Sequence, residues 1–167
     1  AYLAASEGFH TLLWDLDPQG AASFNFRIKP KVKGGLRSVL LCKRQLDEVI
    51  KETDFPGLDL IPSDFSYRNL DLKLYDARKP DMQFRSLIEP LAQEYDCLFL
   101  DCAPSISLVS ENVFRAADLL LVPLIPTPLS MRTYDQLLRY FRKSPVNHLA
   151  LLPFVSMIDI RKRLHKE

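Results

Sequence analysis

FHTLLWDLDPQGA, residues 9–21, joins an apolar run of strand length to two aspartates one residue apart, Asp15 and Asp17, and then to a Pro18-Gln19-Gly20 turn. A parallel strand buried on both faces needs apolar side chains throughout, and Thr11 to Trp14 fit its interior. Open α/β sheets bind ligands beyond the carboxyl ends of their strands, so both aspartates fall at the edge where chemistry is expected. A single aspartate after a strand serves equally well as a turn cap. A second strand of the same design shifts that balance: YDCLFLDCAPS, residues 95–105, is again an apolar run followed by Asp101, small residues and a proline. Two strands that deliver carboxylates to one edge suit the holding of hydrated magnesium and the orienting of a water against a γ-phosphate.

The rest of the chain alternates strand and helix around these two runs. Ala1 to Glu7 is an alanine-rich helix tail closed by Gly8. Ala22 to Lys33 mixes aromatic and basic residues and reads as an exposed connection, with Arg27, Lys29, Lys31 and Lys33 either a strip for phosphates or, as preferred, a solvated loop. Leu36 to Lys51 reads as one or two short helices and Leu58 to Pro62 as a strand. Met82 to Tyr95 keeps helical spacing through Phe84, Leu87, Ile88, Leu91 and Tyr95, with Pro90 expected to kink the helix or shift its start. Ser107 to Ala117 is helical, Asp118 to Leu124 an apolar strand, and Thr127-Pro128 the cap and first position of a helix reaching Lys143. Tyr134, Leu137, Leu138 and Phe141 form the expected buried stripe of that helix, and Leu149 to Met157 is the last strand. Such alternation predicts an α/β fold, a mostly parallel sheet covered by helices on both faces.

Length and composition fit one globular domain: 167 residues, 47% hydrophobic and 26% charged. A formal net charge of +1 removes any general attraction to nucleic acid, so DNA binding requires a local patch. Cys42, Cys97 and Cys102 lack CxxC spacing and read as core thiols in a reducing cytosol. His10, His148 and His165 are scattered and read as structural, while Ser105 and Ser107 lack a nucleophile elbow and read as turn and cap residues. No run reaches the apolar length needed to span a membrane.

DLDPQGAAS (15–23) resembles the switch I segment of the ParA/Soj partition ATPases, part of the deviant Walker A group that also contains MinD. DCAPS (101–105) and the following SENVFRAADLLLVPL (110–124) resemble their Walker B strand, switch II and next helix and strand. Similarity continues through LIPSD (60–64) and FVSMIDIRKRLHKE (154–167), and favours a helix over Phe65 to Ala77 although Leu70, Leu72 and Leu74 alternate as in a strand. The resemblance implies a P-loop NTPase-like fold of the SIMIBI, deviant Walker A type over one domain, residues 1–167. In the family a glycine-rich P-loop with two lysines, and the first strand, precede the helix whose tail AYLAASEG resembles; no GxxxxGK[ST] occurs here. The chain is therefore expected to be a fragment of a longer protein, missing the first strand and P-loop, and to hydrolyse no ATP by itself.

By the same resemblance Asp17 is the catalytic aspartate that orients the attacking water, Asp15 lies near Mg2+ and the P-loop, and Asp101 holds Mg2+ through water. Pro18 and Gly20 shape the switch I turn and Pro104 shapes switch II, where Ala103 departs from the second proline of many relatives. Arg161 in Asp159-Ile160-Arg161 matches an arginine used for nonspecific DNA binding, thickened by Lys162 and Arg163; on composition alone that segment is a solvated helix start. The implied protein uses ATP and Mg2+, forms an ATP-dependent homodimer on nonspecific DNA, answers to a ParB-like centromere-binding protein, and works in the cytoplasm on the nucleoid, off the membrane. Three rivals remain: a P-loop-less relative acting as an interaction module, a MinD-like positioning ATPase, and a reductase of the nitrogenase iron-protein type, which Cys97 and Cys102 are poorly placed to support.

Overall fold

The computed structural model describes residues 1–32, 46–75, 82–144, 146, 148–159 and 161. The chain divides into two compact units, residues 1–116 and 117–167. In the first, strands β1 (Thr11–Asp15), β2 (Lys51–Glu52), β3 (Leu58–Ile61) and β4 (Cys97–Asp101) form one sheet in the order β2-β3-β1-β4. β1 runs parallel to both its neighbours, with Leu13 opposite Leu60 and Phe99, and only the two-residue β2 is antiparallel.

Successive side chains of a strand point to opposite faces, and β1 buries all five of its residues because both faces are covered. Leu12 and Trp14 join Ile61, Tyr67, Leu70, Leu74, Phe84 and Val113 on one side. Leu13 joins Ala5, Leu58 and Leu60 on the other, with Ala22 and Phe26 against them. Helix α1 (Tyr2–Ser6) ends at Gly8, whose φ of +93° suits a residue without Cβ. The expected connection after the aspartates instead holds a helix, α2 (Ala21–Asn25), with Ser23 buried; five residues are too few for an apolar period to show. Val32 at the end of that segment is also buried.

Helices α3 (Leu70–Tyr75), α4 (Gln83–Ile88) and α5 (Leu108–Ala116) lie on the Trp14 side. The helix preferred for Phe65 to Ala77 is present, as a 3₁₀ turn over Phe65–Asn69 leading into α3. Pro90 has the expected effect: α4 gives way to a 3₁₀ turn, Glu89–Gln93, because proline lacks the N–H that an α-helix would use. α4 has no capping side chain of its own. Asn112 of α5 supplies one, its Oδ1 accepting from the N–H groups of Gln83 and Phe84 at 2.9 and 3.2 Å. Asp71 of α3 in turn accepts from Val109 N–H at the start of α5, 2.9 Å.

The second unit contains the parallel pair β5 (Leu119–Leu124) and β6 (Ala150–Val155) and helix α6 (Pro128–Phe141). Thr127 caps α6 by accepting from Ser130 N–H, with Pro128 at its first position, as the sequence predicts. No residue of α6 is buried. Tyr134, Leu137, Leu138 and Phe141 are half-exposed, since two strands offer too little apolar area to bury a face of a 14-residue helix. Most of the two short helices expected over Leu36 to Lys51, and Cys42, lie outside the described residues; Asp47–Val49 is a 3₁₀ turn and Lys51 begins β2.

Candidate functional site

Asp15 closes β1 and Asp101 closes β4, and the register sets them directly opposite each other at the carboxyl edge of adjacent parallel strands. Leu16 N–H continues the ladder by one bond, to the Asp101 carbonyl at 2.8 Å. Asp15 shares a face with Leu13, the face on which α2 lies. Its Oδ2 accepts from both the N–H and the hydroxyl of Ser23, each at 2.7 Å. Oδ1, equally buried, has no hydrogen-bond partner among the described residues. A buried carboxylate oxygen left without a donor is costly unless something outside the chain brings positive charge or N–H groups to it.

Asp17 lies two residues beyond, half-buried, in a turn that its own groups build. Its Oδ1 accepts from Gln19 N–H and its carbonyl from Gly20 N–H, both at 2.9 Å. Gly20 sits at φ +66°, and a Cβ there would stand 3.2 Å from Cβ of Pro30. The carbonyl of Asp17 takes a second bond from the hydroxyl of Ser63, just past β3, and the N–H of Ser63 donates back to the hydroxyl of Ser23 at 2.9 Å. Burial, then the charges of Asp15 and Asp17, hold the Asp101 carboxyl above its usual 3.8. Burial first, and the charges of Asp101 and Asp17 next, push the Cys102 thiol up, which suits a protonated packing residue rather than a nucleophile.

The structure therefore brings Asp15, Asp17, Asp101 and Gly20 together, with Pro104 exposed on the loop after β4. An open depression of about 800 Å³ runs against the turn from Gln19 to Pro30, with Arg27 and Lys29 in its lining. Among the described residues no three His, Cys, Asp or Glu side chains converge as metal ligands. The orphaned Asp15 oxygen opposite Asp101 fits magnesium, which keeps several of its waters and takes only one or two carboxylates. Ser23 and Ser63 were not singled out by sequence; their only signal was their place inside DLDPQGAAS and LIPSD.

His10 is elsewhere, at the opposite end of β1, stacked on Tyr95 at 4.5 Å with Nε2 3.7 Å from an Asp59 oxygen that also accepts from the Tyr95 hydroxyl. His148 is exposed. In the second unit Arg161 is exposed and grips Asp159 through Nε and Nη2, at 2.9 and 3.1 Å. Lys162, Arg163 and His165 lie outside the described residues.

Carboxylates at the ends of neighbouring parallel strands, in a mostly parallel sheet flanked by helices, define a P-loop NTPase-like α/β protein. The family described as an AAA domain matches residues 1–148. Chromosome partitioning protein ParA of Myxococcus xanthus is 34% identical over 125 residues, 74% of this chain and 44% of that protein. Sporulation initiation inhibitor protein Soj of Bacillus subtilis is 28% identical over 136 residues, 81% of this chain and 54% of that protein. A structure of cobyrinic acid a,c-diamide synthase from Mycobacterium smegmatis with bound ATP analog and magnesium superposes with a TM-score of 0.88 at 26% identity, covering 99% of this chain and 69% of that one. The chain belongs to the AAA-domain family and, within it, to the ParA/Soj-type partition ATPases of the MinD/ParA superfamily. It spans about half the length of the two partition relatives.

Proposed function

We propose that the full-length protein is a magnesium-dependent ATPase that partitions DNA, and that residues 1–167 carry its water-orienting and magnesium-facing edge. The observation that carries this reading is the buried, unpartnered Oδ1 of Asp15 opposite Asp101. Asp17 orients the attacking water, while Asp15 and Asp101 are the residues that would hold magnesium, largely through water. Magnesium, when bound, neutralises charge on the β- and γ-phosphates. Gly20 and Pro104 set the two loops that close on the nucleotide, whose phosphates are cradled by a glycine-rich segment outside these residues. Phosphoryl transfer needs positioning and charge neutralisation rather than a covalent intermediate, and a rigid strand end supplies the first of these.

In this reading the ATP-bound protein dimerises on DNA of any sequence through Arg161, Lys162 and Arg163, and a ParB-like centromere-binding partner stimulates hydrolysis and release. It works in the cytoplasm, on the nucleoid. Among the described residues no helix is long and apolar enough to cross a membrane. The test is ATP turnover by the full-length protein with and without magnesium. Turnover that requires magnesium and falls in Asp15→Asn and Asp101→Asn supports the reading, whereas no turnover by the wild type would overturn it.

A further inference from the structure

We infer that Ser63 is a positioning residue for the reaction: its hydroxyl holds the Asp17 turn while its N–H holds Ser23 against the Asp15 carboxylate, so that both acids move as a unit. The inference rests on the ATPase reading above. Ser63 has no exposed surface and stands at the end of β3, on the far side of β1 from Asp101. Its hydroxyl donates to the Asp17 carbonyl and its N–H donates to the Ser23 hydroxyl, which itself donates to Oδ2 of Asp15. A continuous path thus runs from the Asp15 carboxylate through Ser23 and Ser63 to the backbone of Asp17.

Two features make this path a device for geometry rather than a general brace. The Asp17 carbonyl already has one donor, Gly20 N–H, so folding does not need a second to satisfy it. The second donor fixes the direction of that peptide and therefore the direction in which the Asp17 side chain leaves the backbone. Ser23 meanwhile occupies one oxygen of Asp15 and leaves the other facing out of the network. A misplacement of about 1 Å in a group that orients a reactant costs up to about 100-fold in rate, while substrate binding spread over many contacts barely changes.

The experiment uses the full-length protein with Ser63→Ala, Ser23→Ala and the double variant, measuring single-turnover ATP hydrolysis, nucleotide affinity and amide hydrogen exchange. In Ser63→Ala the hydrolysis rate should fall about 10- to 100-fold with ATP affinity within about twofold, and exchange should quicken in residues 16–24 without doing so in β1 and β3. The double variant should be no slower than the worse single one, as expected for residues acting as one unit. Ser63→Thr, which keeps the hydroxyl, should recover most of the rate; if it folds poorly, the double-variant comparison decides instead. A Ser63→Ala protein with unchanged hydrolysis, or with exchange raised uniformly, or with an effect simply additive to that of Ser23→Ala, would overturn the inference while leaving the ATPase reading intact. A wild type without turnover would remove both.

Discussion

Asn112 caps a helix to which it does not belong: its side-chain oxygen, on α5, accepts from the N–H groups of Gln83 and Phe84 that open α4. The first N–H groups of a helix have no partner inside it, and here two of them are met by one residue that is 1% exposed. Its side-chain nitrogen donates to the Leu108 carbonyl one turn back, so both ends of the amide are used. Replacing it by leucine of similar size keeps the volume and removes the acceptor. Asn112→Leu should lower the free energy of unfolding by about 2–3 kcal/mol, read from urea denaturation, because two buried donors lose their partner. A loss below about 0.5 kcal/mol would mean that water reaches those N–H groups instead.

Asp17→Ala in the full-length protein should slow ATP hydrolysis by orders of magnitude and leave ATP affinity nearly intact, since in the proposed reading this carboxylate orients water rather than gripping phosphate. Single-turnover kinetics beside a binding titration separate the two. Lost affinity with unchanged turnover per bound ATP would exchange the roles of Asp15 and Asp17.

The raised pKa of Asp101 gives a prediction with a definite sign. The folded state holds that proton more tightly than the unfolded chain, so the group favours folding at low pH, and the favour is lost as pH rises from 3.8 through the raised folded value. Above that window the ionised carboxylate is a constant cost. Asp101→Asn should therefore raise the melting temperature at neutral pH in magnesium-free buffer, and the gain should vanish on acidification below 3.8. Activity should fall in the same variant, a trade between stability and function that sites of this kind often show.

Arg161→Glu in the ATP-bound full-length protein should weaken binding to unrelated duplexes alike and flatten its salt dependence by about 0.9 in log-log slope for each lost phosphate contact, two per dimer. The salt bridge to Asp159 is exposed, so DNA phosphate can displace the carboxylate at little cost. ATP hydrolysis without DNA should stay near wild type. Interferometry over several salt concentrations checks this, and an unchanged slope would return the segment to an ordinary solvated surface.

What could be read without the structure follows a physical division. β1 was legible because a strand buried on both faces is apolar almost throughout, β4 because it repeats that apolar run although it is only half-buried, and Asp15, Asp17 and Asp101 because they interrupt that apolarity at the edge where parallel sheets do chemistry. Helix α2 was hidden by its length, and β2 by having only two residues. Ser23 and Ser63 were illegible for another reason. The Ser63 hydroxyl acts on a carbonyl 46 residues away and the bond that joins it to Ser23 spans 40, and a serine beside a proline or near a glycine turn looks like any turn residue until the strands are paired. The Asn112 cap and the His10–Asp59–Tyr95 group are of that kind too, long-range polar contacts that leave no periodic trace.

Trp14, fully buried and stacked on Phe84 at 5.2 Å, immediately precedes Asp15 and is the one tryptophan of the chain. These 167 residues therefore carry a built-in optical reporter beneath the site. Its emission should lie toward the blue in the folded protein and move to the red as the apolar surround opens, so that unfolding of the first unit is read directly. Because Phe84 sits in the helix that Asn112 caps, loosening that helix should alter the quantum yield before the strand itself gives way. Nucleotide arriving one residue from the indole should register in the same signal, with no dye and no engineered label.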